Sequence, residues 1–188
     1  MANEAGQIRK EELDAQREAV RRTALAQIRQ YGDAALRLEA RPVESFDDDL
    51  RRLVARMKRL MVDANGVGLA ANQVGVLRRV VVFQEDSDEE PIALVNPAIA
   101  ERGRELSTDD EGCLSLQGVL VPVERACTVV IEGKDETGAD VRLDLAEPGA
   151  RVVQHELDHL DGVLIIDRTT LEARREALAI LRPRVALV

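Results

Sequence analysis

Apolar positions along the chain fall into two textures. Leu50, Leu53, Val54, Met57, Leu60 and Met61 recur at three- and four-residue spacing, which predicts an amphipathic helix with one buried face. Ser45 reads as its N-cap, Asp47, Asp48 and Asp49 fill the first turn, and Asn65-Gly66 ends it. From residue 80 onward the apolar runs become short and β-branched: Val80–Phe83, Ile92–Val95, Leu120–Val123, Thr128–Ile131 and Val141–Leu145. Turn residues separate them, so they read as strands, with Gly133–Gly138 as the hairpin loop between the last two. The polar stretch Gln84–Glu90 reads as a surface loop. Helical spacing returns at Ala150–Leu160 and again at Leu171–Leu181, the latter stopped by Pro183. At the N-terminus Leu13, Ala19, Val20, Ala24, Ala26 and Ile28 form a weaker stripe among many charges. This order predicts a single α+β domain, a mostly antiparallel sheet with helices at both ends. Residues 1–27 are its helical extension, 28–170 its body and 171–188 a helical tail.

Composition narrows the function. The 188 residues carry 35 acidic and 26 basic side chains, a net charge of −9. Affinity for nucleic acid rests on Lys and Arg neutralising phosphates, so extensive nucleic-acid binding is not expected. Aromatics are 2% of the chain, too few for a base-stacking surface. Two Cys do not make a disulfide framework. No apolar run is long enough to span a membrane, and the first residues lack a secretory pattern. The expectation is a cytoplasmic protein without membrane contact.

The chemistry concentrates in His155-Glu156-Leu157-Asp158-His159. On a helix, residues four apart share a face, so both imidazoles can reach one metal ion. Glu156 stands where a general base for a metal-activated water is needed. The chain has no third His, so a further ligand must be a thiolate or a carboxylate. Glu172 and Glu176 lie on a separate charged helix that reads as a solvated face. Cys127 sits in an apolar run and reads as a buried small hydrophobe. Cys113, in Glu111-Gly112-Cys113-Leu114-Ser115, is the candidate third ligand, with a glycine beside it that permits close approach. Gly66-Val67-Gly68-Leu69-Ala70-Ala71-Asn72-Gln73 is a surface of small residues ending in a side-chain amide. No Lys follows it and no third Gly completes it, so it is neither a phosphate loop nor a dinucleotide fingerprint.

The three segments Gly66–Gln73, Glu111–Ser115 and Gln154–Gly162, in this order, resemble the motifs of the peptide deformylase family. The similarity runs over roughly residues 28–170, with Gln117 standing where the family often has Pro. The resemblance implies one divalent metal ion per chain, held by Cys113, His155 and His159 with water as fourth ligand. Ferrous iron is the metal it suggests, and zinc, nickel or cobalt suit the same donors. It implies hydrolysis of the N-formyl group of N-formylmethionyl nascent polypeptides, releasing formate. The metal-bound water attacks the formyl carbon, with Glu156 as general base and then acid. The Gln73 amide and the Leu114 backbone N–H would stabilise the oxyanion, each such donor being worth about 3 kcal/mol. Gly66, Val67, Gly68, Gly112 and Val152 would bind substrate, the glycine segment by strand addition and Val152 in the methionine pocket. Glu111 and Arg125 are expected to pair and hold the Cys113 segment.

Two other readings are weaker. A general metallopeptidase lacks its third His here. A metal-stabilised binding module would not need both Glu156 and Gln73. Arg174, Arg175, Arg182 and Arg184 could form a local patch for ribosome docking, but an ordinary amphipathic helix is the preferred reading of them.

Overall fold

The computed structural model describes residues 2–85 and 89–182, with the side chains of the first helix described from residue 13 onward. Five helices are present among these residues: α1 (Ala2–Leu25), α2 (Asp48–Asp63), α3 (Gly149–Leu160), α4 (Ile165–Arg168) and α5 (Leu171–Leu181). Seven strands accompany them: β1 (Gly68–Ala70), β2 (Val80–Phe83), β3 (Ile92–Arg102), β4 (Leu106–Glu111), β5 (Val121–Ala126), β6 (Thr128–Lys134) and β7 (Asp140–Ala146). The main sheet has the order β1-β2-β3-β6-β7, and β4 pairs with β5 in a second sheet. All these pairings are antiparallel.

The run Val80–Phe83 is apolar throughout because both faces of β2 are covered. Val80 and Val82 join a core cluster with Leu50, Val54, Met57 and Met61 of α2. Val81 and Phe83 join a second cluster with Val153, Leu157 and Leu160 of α3. The β1–β2 end of the sheet therefore lies between two helices, and α3 is held against β1 and β2. A third cluster joins Val121 and Val123 of β5 to Leu164, Ile165, Ile166 and Ala177.

The predicted α+β architecture is the one observed. Several boundaries shift for identifiable reasons. The cap of α2 is Asp47, not Ser45: the Asp47 carboxylate accepts the Leu50 N–H at 2.9 Å. Strand β4, Leu-Ser-Thr-Asp-Asp-Glu, carries no apolar alternation because most of it is solvent-exposed. It is held by pairing with β5 in register from Leu106↔Ala126 to Glu111↔Val121. Strand β1 is too short to show a period. Cys127 is half-buried between β5 and β6 rather than deep within a strand. The stop at Pro183, Arg184 and the middle of the Gln84–Glu90 loop lie outside the described residues.

Candidate metal centre

Two elements of unlike origin meet at the site. Helix α3 is amphipathic: its Ala150, Val153, Leu157 and Leu160 side is buried against the sheet. Val152, His155 and Glu156 line a cleft of about 510 Å³. Gln154 fixes α3 to β5, because its amide donates to the Ala126 carbonyl at 2.9 Å and accepts the Ala126 N–H at 3.3 Å. The second element is the end of β4 and the loop leaving it, which bring Glu111 and then Gly112 and Cys113 to the face of α3.

The donor atoms of Cys113, His155 and His159 all lie within 4.8 Å of one another. Cys113 Sγ is 3.2 Å from His159 Nε2. Ligands at about 2.0–2.3 Å from a tetrahedral ion stand roughly 3.5 Å apart, so the three side chains fit one cation. His155 Nδ1 is 3.0 Å from Glu111 Oε2. That carboxylate fixes the ring and leaves Nε2 for a ligand, as outer partners of metal-binding histidines do. Glu172 and Glu176 are exposed on α5.

Charge is arranged in layers around these donors. Glu111 is 6% exposed and accepts from Arg125 at 2.9 and 3.0 Å, from Arg151 at 3.0 Å and from His155. Burial alone would raise its carboxyl, but His155 and Arg125 bring it down to about 2. Arg125 also donates to Asp158 at 2.5 Å, and Arg168 donates to the same carboxylate. The expected Glu111–Arg125 pair is thus the centre of a buried network. Asp158, Arg151 and Arg168 were not legible as its members, because only the fold brings them together. Burial pushes His155 down, yet Cys113 and Glu111 hold it well above its ordinary value, the pull of a site that favours a cation. Burial and the charges of His155 and Arg125 hold His159 well below its ordinary value, which keeps a lone pair free for ligation.

Glu156 is 4% exposed, and its Oε2 has no hydrogen-bond partner among the described residues. Burial raises its carboxyl to about 7. A Cβ on Gly68 would come within 2.9 Å of Glu156 Cδ, and one on Gly66 within 2.7 Å of Leu114 Cδ1. These two glycines let the segment after α2 lie flat against the site. Gln73 is positioned at both ends: Oε1 accepts the Ala70 N–H at 2.8 Å, and Nε2 donates to Ser115 Oγ at 3.1 Å while facing Cys113 Sγ at 3.7 Å. Gly66, Val67, Gly68, Gly112, Leu114 and Val152 all line the cleft. The residues expected as ligands, proton carrier, oxyanion donors and substrate contacts thus lie together, whereas Cys127, Glu172 and Glu176 lie away from the cleft.

An α+β fold whose peptide-sized cleft ends on a possible Cys/His metal site defines the class. The sequence model described as Polypeptide deformylase matches residues 25–175. The chain is 48% identical over 145 residues to the peptide deformylase of Caldicellulosiruptor bescii, covering 77% of this chain and 86% of that one. It is 44% identical over 149 residues to that of Dictyoglomus turgidum, covering 79% and 95%. The solved peptide deformylase of Legionella pneumophila superposes with a TM-score of 0.79 at 37% identity, over 82% of this chain and 91% of that one. That of Synechococcus elongatus, in complex with actinonin, gives 0.77 at 39% identity over 83% and 91%. The chain belongs to the polypeptide deformylase family and is a hydrolase of that family.

Proposed function

We infer that this enzyme removes the N-formyl group from N-formylmethionyl nascent polypeptides by metal-assisted hydrolysis at Cys113, His155 and His159. The observation that carries the reading is a buried carboxylate, Glu156, whose Oε2 has no hydrogen-bond partner among the described residues and which lines the cleft beside three converging metal donors. A divalent cation bound there supplies Lewis acidity, polarising the formyl oxygen and acidifying water. Fe²⁺ is our assignment, with Zn²⁺, Ni²⁺ and Co²⁺ suited to the same donors.

Glu156 moves the protons. A carboxyl raised to about 7 takes a proton from water and returns it near neutral pH. Attack of water on the formyl carbon breaks the C–N bond, the proton goes to the leaving amine, and formate is released. Gln73 already has one amide N–H held by Ser115, which orients the group toward the site. It and the Leu114 N–H would donate to the developing oxyanion. Strand β1 is at the edge of the main sheet, so the segment Gly66–Gly68 is open to an added substrate strand. Val152 walls the methionine pocket, and Gly112 leaves room beside it.

We assign catalysis to residues 28–170, with 1–27 as an extension and 171–188 as a tail, and place the enzyme in the cytoplasm. No helix of the described residues is long and apolar enough to cross a membrane. Local docking of the tail on the ribosome is a further element of the reading. The test is formate release from a formyl-Met dipeptide by anaerobically purified enzyme, with metal analysis. Release that depends on a bound divalent metal is expected, and no release with any divalent metal overturns the reading. Full metal affinity in Cys113→Ser would overturn the ligand assignment.

A further inference from the structure

Two arginines line the cleft, and they differ in how their charge is used. Arg151 is tied to Glu111, Glu147, Ser107 and the Val123 carbonyl. Arg21 has one ion-pair partner among the described residues, Glu18 at 3.5 Å, and that carboxylate is 66% exposed. Arg21 belongs to α1, whose residues up to 24 precede the stretch matched by the family. Its position is set by helix geometry. Arg21 shares a face with Ala24 and Leu25, one turn on, which pack in the core cluster that contains α2, and its side chain lines the cleft together with Asn65, Gly66 and Val67.

This places a cation at one end of the cleft. Gly68, against Glu156, marks the reacting end. Asn65 (φ 55) and Gly66 form the turn that joins α2 to β1, and they line the same cleft three and two residues before Gly68, so no more than about 10 Å of chain separates them from the reacting end. An extended peptide advances about 3.3 Å per residue, so one running from the reacting end toward Asn65 covers that span by the second or third residue after its formylated one, beside Arg21. A weak, exposed pair one turn apart is readily exchanged for a carboxylate offered by a substrate.

We propose that Arg21 is a specificity-determining residue, a cation on the rim that favours formylated peptides carrying a carboxylate two or three residues beyond the formylated residue. The proposal rests on the deformylase reading. It runs against the net charge of −9, which by itself repels acidic peptides. The contact is remote from the reacting atoms, so it is made equally in ground and transition states and acts through KM.

The test compares kcat and KM for formyl-Met-Ala-Glu-Ser-amide and formyl-Met-Ala-Gln-Ser-amide, using the full chain loaded with metal. Free-acid and amide forms of formyl-Met-Ala-Gln separate a terminal carboxylate from a side-chain one. Wild type is expected to prefer the Glu peptide about two- to fivefold in kcat/KM, mainly through KM and less so at high salt. Arg21→Gln should bring the ratio to one, Arg21→Glu should invert it, and Arg22→Gln, one position off the cleft wall, should leave it unchanged. Equal rates in wild type, a ratio that survives Arg21→Gln, or an equal loss in Arg22→Gln would overturn the proposal while leaving the deformylase reading intact. Absence of formate from every peptide would instead overturn that reading.

Discussion

Glu156 is the side chain to which we assign proton transfer. It is buried, its Oε2 has no partner among the described residues, and burial raises its carboxyl to about 7. Replacing Glu156 by Ala should lower turnover by about 10²–10⁴-fold while metal stays bound, because proton transfer is lost and the ligands are untouched. Formate release together with metal content checks this, and loss of metal would show Glu156 to be a ligand instead. Gly68 makes the complementary argument from space. A methyl there would overlap Glu156. Gly68→Ala should cost about 1–3 kcal/mol in folding and displace the carboxylate, so the unfolding midpoint and kcat fall together. An unchanged kcat would mean that the carboxylate tolerates the shift.

At the scale of elements, the site depends on how β4 and α3 are locked together. Arg125 lies between Glu111 of β4 and Asp158 of α3, both within hydrogen-bonding distance. Removing a buried charge strands its partners, so Arg125→Met should destabilise the fold by about 3–5 kcal/mol. Urea denaturation measures it, and a loss under 1 kcal/mol would mean that Arg151 and Arg168 suffice. Helix α4 is anchored differently. Asp167 pairs with Arg37 and with Arg174, and accepts the Leu164 N–H at 3.0 Å. Burial acts to raise its carboxyl, but Arg37 and the Leu164 N–H hold it below the ordinary 3.8. A carboxyl lowered by folding stabilises the protein above 3.8, and that contribution fades as pH falls below it. Asp167→Asn should therefore melt earlier than wild type at neutral pH, with the difference closing in acid. Melting curves against pH would show a constant gap if the pairing were immaterial.

At the scale of the molecule, the donors come from parts of the chain more than 40 residues apart in sequence, so a bound ion is a cross-link that the unfolded chain lacks. Chelation should lower the unfolding midpoint and re-addition of metal should restore it, by about 2.7 kcal/mol at a hundredfold excess over the dissociation constant. A midpoint indifferent to chelator would exclude a tightly held ion.

Legibility in the sequence followed the range of the interaction. Val80–Phe83 is a continuous apolar run and α3 carries a local helical period, and in each the side chains that make the pattern bury the element. His155 and His159 share a face because helix geometry alone puts them there. Strand β4 has no such signal: its polar side chains stay in water and its backbone is held by β5. The donation from Arg125 to Asp158, the seat of His155 on Glu111 and the reach of Arg21 over the cleft join residues distant in the chain. No period encodes such meetings. They arise when covering both faces of the sheet forces separate segments into one volume, and there the tertiary structure, not the local pattern, sets which charges meet.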